Sequence, residues 1–178
     1  MGCGSFPQGD VNCDLHLNEP AHRGAYGKII NPREYENFIH CDVQYLPFRD
    51  GVFNHVICRH VIEHVDNPCL LFRELVRVSS NTILIQCPFW LGDRLNGKNY
   101  LHKNFFNATW FRKMAEQQDC FHNVFYSRYF GVPHMFIPLL QFPFELTSEL
   151  RINQTKREYK IFLKIMNCFK SFWKFMEE

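Results

Sequence analysis

The sequence contains no C-x-x-C pair, although it has eight cysteines, at positions 3, 13, 41, 58, 69, 87, 120 and 168, with no regular spacing. That absence excludes the common zinc-ribbon and thioredoxin-like arrangements and argues against a disulfide framework, so buried, reduced thiols are expected. No apolar run approaches the roughly 18 residues that suggest a membrane-spanning helix. Nor does any leader-like opening, internal repeat or low-complexity tract appear. A reducing, cytoplasmic setting is therefore the expectation, and the sequons at Asn107 and Asn153 are expected to stay unmodified. The opening stretch Met1 to Phe6 lacks the Ser or Thr at position six that would favour acylation of Gly2. Charge of one sign is scarce as well: 20 Lys and Arg face 18 Asp and Glu, and no broad basic face is written into the chain. A nucleic-acid partner is not expected.

What is present is a composition of 46% hydrophobic and 21% charged residues over 178 positions, enough for one globular α/β domain with a sizeable core. The charge is uneven. Residues 151–178 hold seven basic against three acidic side chains, a net +4 on a remainder of −2. Segments rich in β-branched and aromatic residues, at 11–15, 37–42, 55–59, 82–89 and 123–130, read as strands. Between the third and fourth, Asn67 and Pro68 supply a helix cap and a first-turn proline, and Leu71, Leu75 and Val78 follow at helical spacing. A second helix is expected over about 107–118, with Asn107 as its cap. Strands alternating with helices predict a mostly parallel sheet.

The segment Arg59 to Pro68 holds His60, Glu63 and His64 in the order H-x-x-E-H, which within a helix is a zinc-peptidase signature. Here it directly follows a strand and ends where the next helix begins, so the two histidines are not expected to share a helix face, and no third ligand is evident. No metal is expected. The carboxyl ends of parallel strands are instead where open α/β sheets bind ligands. Asp14 closes the first strand, Asp42 the second, and His60, Glu63 and His64 follow the third. A carboxylate there can accept two hydrogen bonds from a cis-diol, and the Gly2-Cys3-Gly4 turn lets backbone approach a ligand closely.

These residues resemble the class I S-adenosylmethionine-dependent methyltransferases, in their small, short-loop, type 11-like branch. The resemblance rests on 2–15 and on 41–68, where Asp42, Leu46-Pro47-Phe48, an acidic turn, Phe53, a strand, Glu63-His64 and a proline-started helix occur in one order. It implies a Rossmann-like sheet, methyl transfer and S-adenosyl-L-methionine as cofactor. Position by position it implies that Gly2, Cys3 and Gly4 lie under the methionine and ribose. It places Asp14, followed by Leu15, on the ribose hydroxyls, Asp42 and Val43 at the adenine, and His60 beside the methionine. Glu63, His64 and His102 become candidates for the substrate side, and no general base is identified.

Against the family's pattern, the strand normally preceding the glycine turn is missing and Asn54 replaces the usual aspartate. An amino-terminally truncated sheet is therefore expected, one that folds poorly unless something fills the gap. The domain is expected over 1–145. A basic tail over 146–178 follows, with Phe162, Ile165, Met166, Phe169, Phe172, Trp173 and Met176 on one face of an amphipathic helix. The tail packs on its own domain or makes a weak, peripheral membrane-surface contact through 155–178. The acceptor is expected to be a small molecule or lipid-like; the alternative is a non-catalytic methyltransferase-like binding module associated with a membrane surface.

Overall fold

The computed structural model describes residues 1–3, 9–17, 37–90, 101–130 and 142–152, excluding the side chains of 126–130 and 142–144. Gly4 and the tail helix proposed over 155–177 lie outside these residues. In chain order the elements are β1 (Asn12–Asp14), β2 (Phe38–His40), β3 (Phe53–Arg59), α1 (Pro68–Val78), β4 (Ser79–Pro88), α2 (Ala108–Gln117), β5 (Phe121–Phe130) and β6 (Phe142–Arg151).

Both helices start as their sequences dictate. The Asn67 side chain accepts from the Leu70 N–H at 3.0 Å, and Asn107 accepts from the Trp110 N–H at 2.9 Å. Each cap satisfies an amide that the first helical turn leaves without a partner. α1 buries Leu71, Phe72, Leu75 and Val78, and α2 buries Phe111, Met114 and Ala115, one apolar stripe each. Asn67→Ala is expected to cost about 1 kcal/mol in urea unfolding, the usual worth of such a cap.

β1 and β2 pair in parallel, as do β3 and β4, while β6 runs antiparallel to both β4 and β5 in the order β3-β4-β6-β5. Since β6 opposes both neighbours, β4 and β5 point the same way, and β6 alone is reversed in this sheet. The core lies where Val56 and Cys58 of β3, Ile83, Ile85 and Cys87 of β4, and Leu146 and Leu150 of β6 meet the helices.

One expectation is corrected by β6. The domain boundary drawn at 145 falls inside this strand, and residues 146–151 belong to the sheet. Central placement between β4 and β5 buries both of its faces, including Glu145, Thr147 and Ser148. A strand buried on both faces but carrying polar side chains, with Pro143 near its start, shows neither an apolar run nor a clean alternation.

Among the described residues no strand lies between β1 and β3. Met1–Cys3 bridges them: the Met1 ammonium donates to the Ile57 carbonyl at 2.6 Å, and the Cys3 N–H to the Cys13 carbonyl at 3.0 Å. A groove of about 370 Å³ opens beside this bridge, lined in part by Asn12, Phe53, His55 and Ile57.

Candidate active site

Asp14, Asp42 and His60, the candidates read from the sequence, stand at or just after the carboxyl ends of β1, β2 and β3. At the end of β1, Asp14 Oδ1 accepts from the His16 N–H at 2.9 Å, and His40 Nε2 lies 2.8 Å from the Leu15 carbonyl. After β2, Asp42 Oδ1 accepts from the Gln44 N–H at 2.8 Å. Gln44 also places its amide nitrogen 3.3 and 3.2 Å from the two Asp42 oxygens, and its Oε1 accepts from the Asn67 N–H at 2.8 Å. Both aspartates thus cap the turn that follows them, as short carboxylates do. The second is tied through Gln44 to the start of α1. Leu15 is 43% exposed, so its apolar surface faces outward beside Asp14, whereas Val43, at 5%, belongs to the core.

Gly2 closes the same end. Its φ is +63°, in the left-handed region, and a Cβ there would stand 2.1 Å from Val61 Cγ2. Only glycine fits this approach without moving the turn after β3.

His60 also has positive φ, 51°, which is uncommon for a residue with a side chain. Its N–H continues the ladder to the Gln86 carbonyl at 2.9 Å, and its ring then meets two buried carboxylates. Nε2 is 2.8 Å from Glu145 Oε1, and Nδ1 is 3.4 Å from Glu63 Oε1. These carboxylates, Glu63 foremost, hold the imidazole above its ordinary range against the opposing effect of burial.

The segment after Leu101 docks on the turn that carries Glu63. The N–H groups of Lys103 and Asn104 donate to the Glu63 carbonyl at 2.8 and 3.1 Å, and Asn104 Nδ2 donates to the Val65 carbonyl at 2.7 Å. This sets the His102 ring 4.9 Å from that of His64, centroid to centroid. The three substrate-side candidates, Glu63, His64 and His102, are therefore neighbours. Glu145 escaped the sequence reading because only the pairing of β6 with β4 brings it here, and no local signal marks it. The H-x-x-E-H segment precedes α1, as expected, so it forms no helical zinc motif.

None of the seven described cysteines is in a disulfide. Burial pushes Cys3 up to about 11 and Cys58 up to about 12, which keeps both protonated at neutral pH. No helix among the described residues is long and apolar enough to cross a membrane.

Residues 15–82 match the family model of the methyltransferase domain. Among solved structures, an S-adenosylmethionine-dependent methyltransferase from Mesorhizobium loti is similar at TM-score 0.55 and 13% identity, over 80% of this chain and 79% of that one. One from Archaeoglobus fulgidus is similar at TM-score 0.54 and 14% identity, over 80% and 75%. A Thermotoga maritima protein described as a possible histamine N-methyltransferase aligns at TM-score 0.48 and 10% identity, over 64% of this chain and 63% of that one, less than two thirds of its length. No curated protein matches the sequence.

Proposed function

We propose that the chain is a class I S-adenosylmethionine-dependent methyltransferase, which binds S-adenosylmethionine across the ends of β1–β3 and transfers the methyl group to a small-molecule or lipid-like acceptor. The match of residues 15–82 to the methyltransferase-domain model and the fold shared with two such enzymes support this reading. The observation that carries this reading is the placement of Asp14, Asp42 and His60 at the carboxyl ends of β1, β2 and β3, with Gly2 packed on the turn after β3; Asp42 and His60 lie inside the matched residues. The residues fit the cofactor. Gly2 lets the amino-terminal segment pack closely on Val61 in the turn after β3, the exposed Leu15 offers an apolar surface, and the two aspartates present carboxylates that their turns already orient. Bound there, the cofactor supplies an activated methyl on a sulfonium.

On this reading Asp14 accepts from the ribose hydroxyls and Asp42 from the adenine amine, while His60 borders the methionine end. Glu63, His64 and His102 flank the approach of the acceptor. Transfer then depends mainly on holding the nucleophile in line with the methyl, where positioning alone can supply much of the acceleration.

Titration calorimetry with S-adenosylmethionine tests the proposal. The folded protein is expected to bind, and Asp42→Ala to weaken binding about tenfold to a hundredfold, the worth of roughly 1.5–3 kcal/mol for a hydrogen bond to a charged group. Asp42→Asn, which keeps an oxygen for the Gln44 N–H, separates loss of the turn from loss of the cofactor contact. Absence of heat from the folded protein would overturn the reading.

A further inference from the structure

We propose that Glu63, His64 and His102 form a binding site for a divalent transition-metal cation, with zinc the best match. One donor atom from each residue lies within 4.8 Å of the others, so a small adjustment brings all three onto one ion. Two imidazole nitrogens and a carboxylate oxygen are a donor set that zinc accepts, with a further position left for water or a ligand.

Glu63 gives the independent reason to look for a cation. It is 1% exposed, and neither of its carboxylate oxygens has a hydrogen-bond partner. A buried carboxylate without a hydrogen bond is costly and rare in native proteins. His60 meets this need only in part: its Nδ1 pairs with Glu63 Oε1 at 3.4 Å, longer than a good hydrogen bond, while its Nε2 is 2.8 Å from Glu145, and Glu63 Oε2 has no hydrogen-bond partner.

His64 is oriented as metal-bound histidines are. Its Nδ1 lies 3.0 Å from the Leu101 carbonyl, which can only accept, so Nδ1 carries the proton and Nε2 is directed toward Glu63 Oε1 at 3.9 Å. The segment of the third donor is held by backbone bonds, since the Glu63 carbonyl accepts from the N–H groups of Lys103 and Asn104. The backbone that carries Glu63 is thus joined to the segment that carries His102 before any ion arrives. The His64 side chain is 25% exposed, which leaves a path for entry.

This site differs from the one H-x-x-E-H suggests, because His60 is not a donor and the third ligand comes from another segment. Equilibrium dialysis of the full chain against zinc, followed by absorption spectroscopy of the cobalt-substituted protein, tests it. The expected result is one ion per chain and cobalt d–d bands of a nitrogen–oxygen site. Affinity should fall at least about tenfold in Glu63→Gln, His64→Ala and His102→Ala, since even residues that only support metal ligands cost that much when replaced. His60→Ala is expected to keep the ion. Circular dichroism identifies any variant that fails to fold, and the remaining single variants still decide the matter. Failure of the wild-type protein to bind zinc, binding unchanged in folded His102→Ala, or a sulfur-to-cobalt charge-transfer band that marks cysteine ligation would overturn the proposal. Because Asp14 and Asp42 are outside the donor set, either result leaves the S-adenosylmethionine titration to be judged separately.

Discussion

Replacing Phe111 with alanine is expected to destabilise the domain by about 3–5 kcal/mol, the usual cost of emptying a fully buried aromatic site. Phe111 is 0% exposed and sits in a cluster with Phe106 and Trp110, at ring-centroid distances of 5.7 and 5.0 Å. Trp110 in turn meets Phe72 of α1 edge-on at 5.9 Å, so this cluster joins the two helices. The cavity cannot close easily, because α2 is held on the sheet by Met114 and Ala115 and the neighbouring rings are rigid. A loss of this size is a large share of the roughly 5–15 kcal/mol that a typical domain has in total. Phe106 pairs with Phe89 in an isolated parallel bridge and belongs to the segment that carries His102. The same substitution should therefore loosen the His102 side of the site. Denaturant unfolding of wild type, Phe111→Leu and Phe111→Ala measures the effect. A cost below about 1 kcal/mol for the alanine variant would show that the cluster is not part of the cooperative core.

Removing the Arg77 guanidinium is expected to cost about 2–4 kcal/mol, within the range for breaking a partly buried network of charged hydrogen bonds. Arg77 lies in the last turn of α1 and reaches back over the loop between β2 and β3. Its nitrogens donate to both Glu74 oxygens at 2.7 and 2.8 Å, to the Phe48 and Leu46 carbonyls at 2.7 and 2.9 Å, and to Asp50 at 2.8 Å. Glu74 completes the clamp by accepting from the Leu46 N–H at 2.8 Å. The clamped loop begins at the Asp42 turn, so its anchoring helps to hold the Asp42 carboxylate in place. Arg77→Lys keeps the charge but not the planar fork and should lose most of the benefit.

The clamp also has a pH signature. The hydrogen bond from Arg77 holds the Glu74 carboxyl below its ordinary range, the Leu46 N–H adds to this, and burial opposes it. A carboxyl with a lowered folded pKa contributes stability above its unfolded value, near 4.3, and loses it as the pH falls through the folded value. The stability gap between wild type and Glu74→Gln should therefore be full at neutral pH and shrink below about pH 4. Urea unfolding between pH 7 and pH 3 checks this, and a gap that does not vary with pH would mean that Glu74 acts through packing.

Much of the site was legible because its signals are local. A glycine turn, an aspartate ending a strand, or an Asn-Pro helix start needs only its immediate neighbours, and the Asp14 and Asp42 turns and both Asn caps stand where the sequence put them. Glu145, and the joining of His102 to His64, were not legible, because each depends on contacts between segments far apart in the chain. The β6 strand was hidden for a related reason. Its burial comes from having neighbours on both sides, and its own Glu145, Thr147 and Ser148 give no apolar period to read.

The sequence by itself determined the alternation of strands and helices, where the helices begin, and which polar residues stand at the strand ends, since these follow from short-range sterics, capping and side-chain periodicity. Only the tertiary structure decided that β6 enters between β4 and β5, that His60 faces Glu145, and that a buried Glu63 lies against two histidines from different segments. Those outcomes follow from sheet order and long-range packing, in which a residue's partner is chosen by the shape of the whole domain rather than by its distance along the chain.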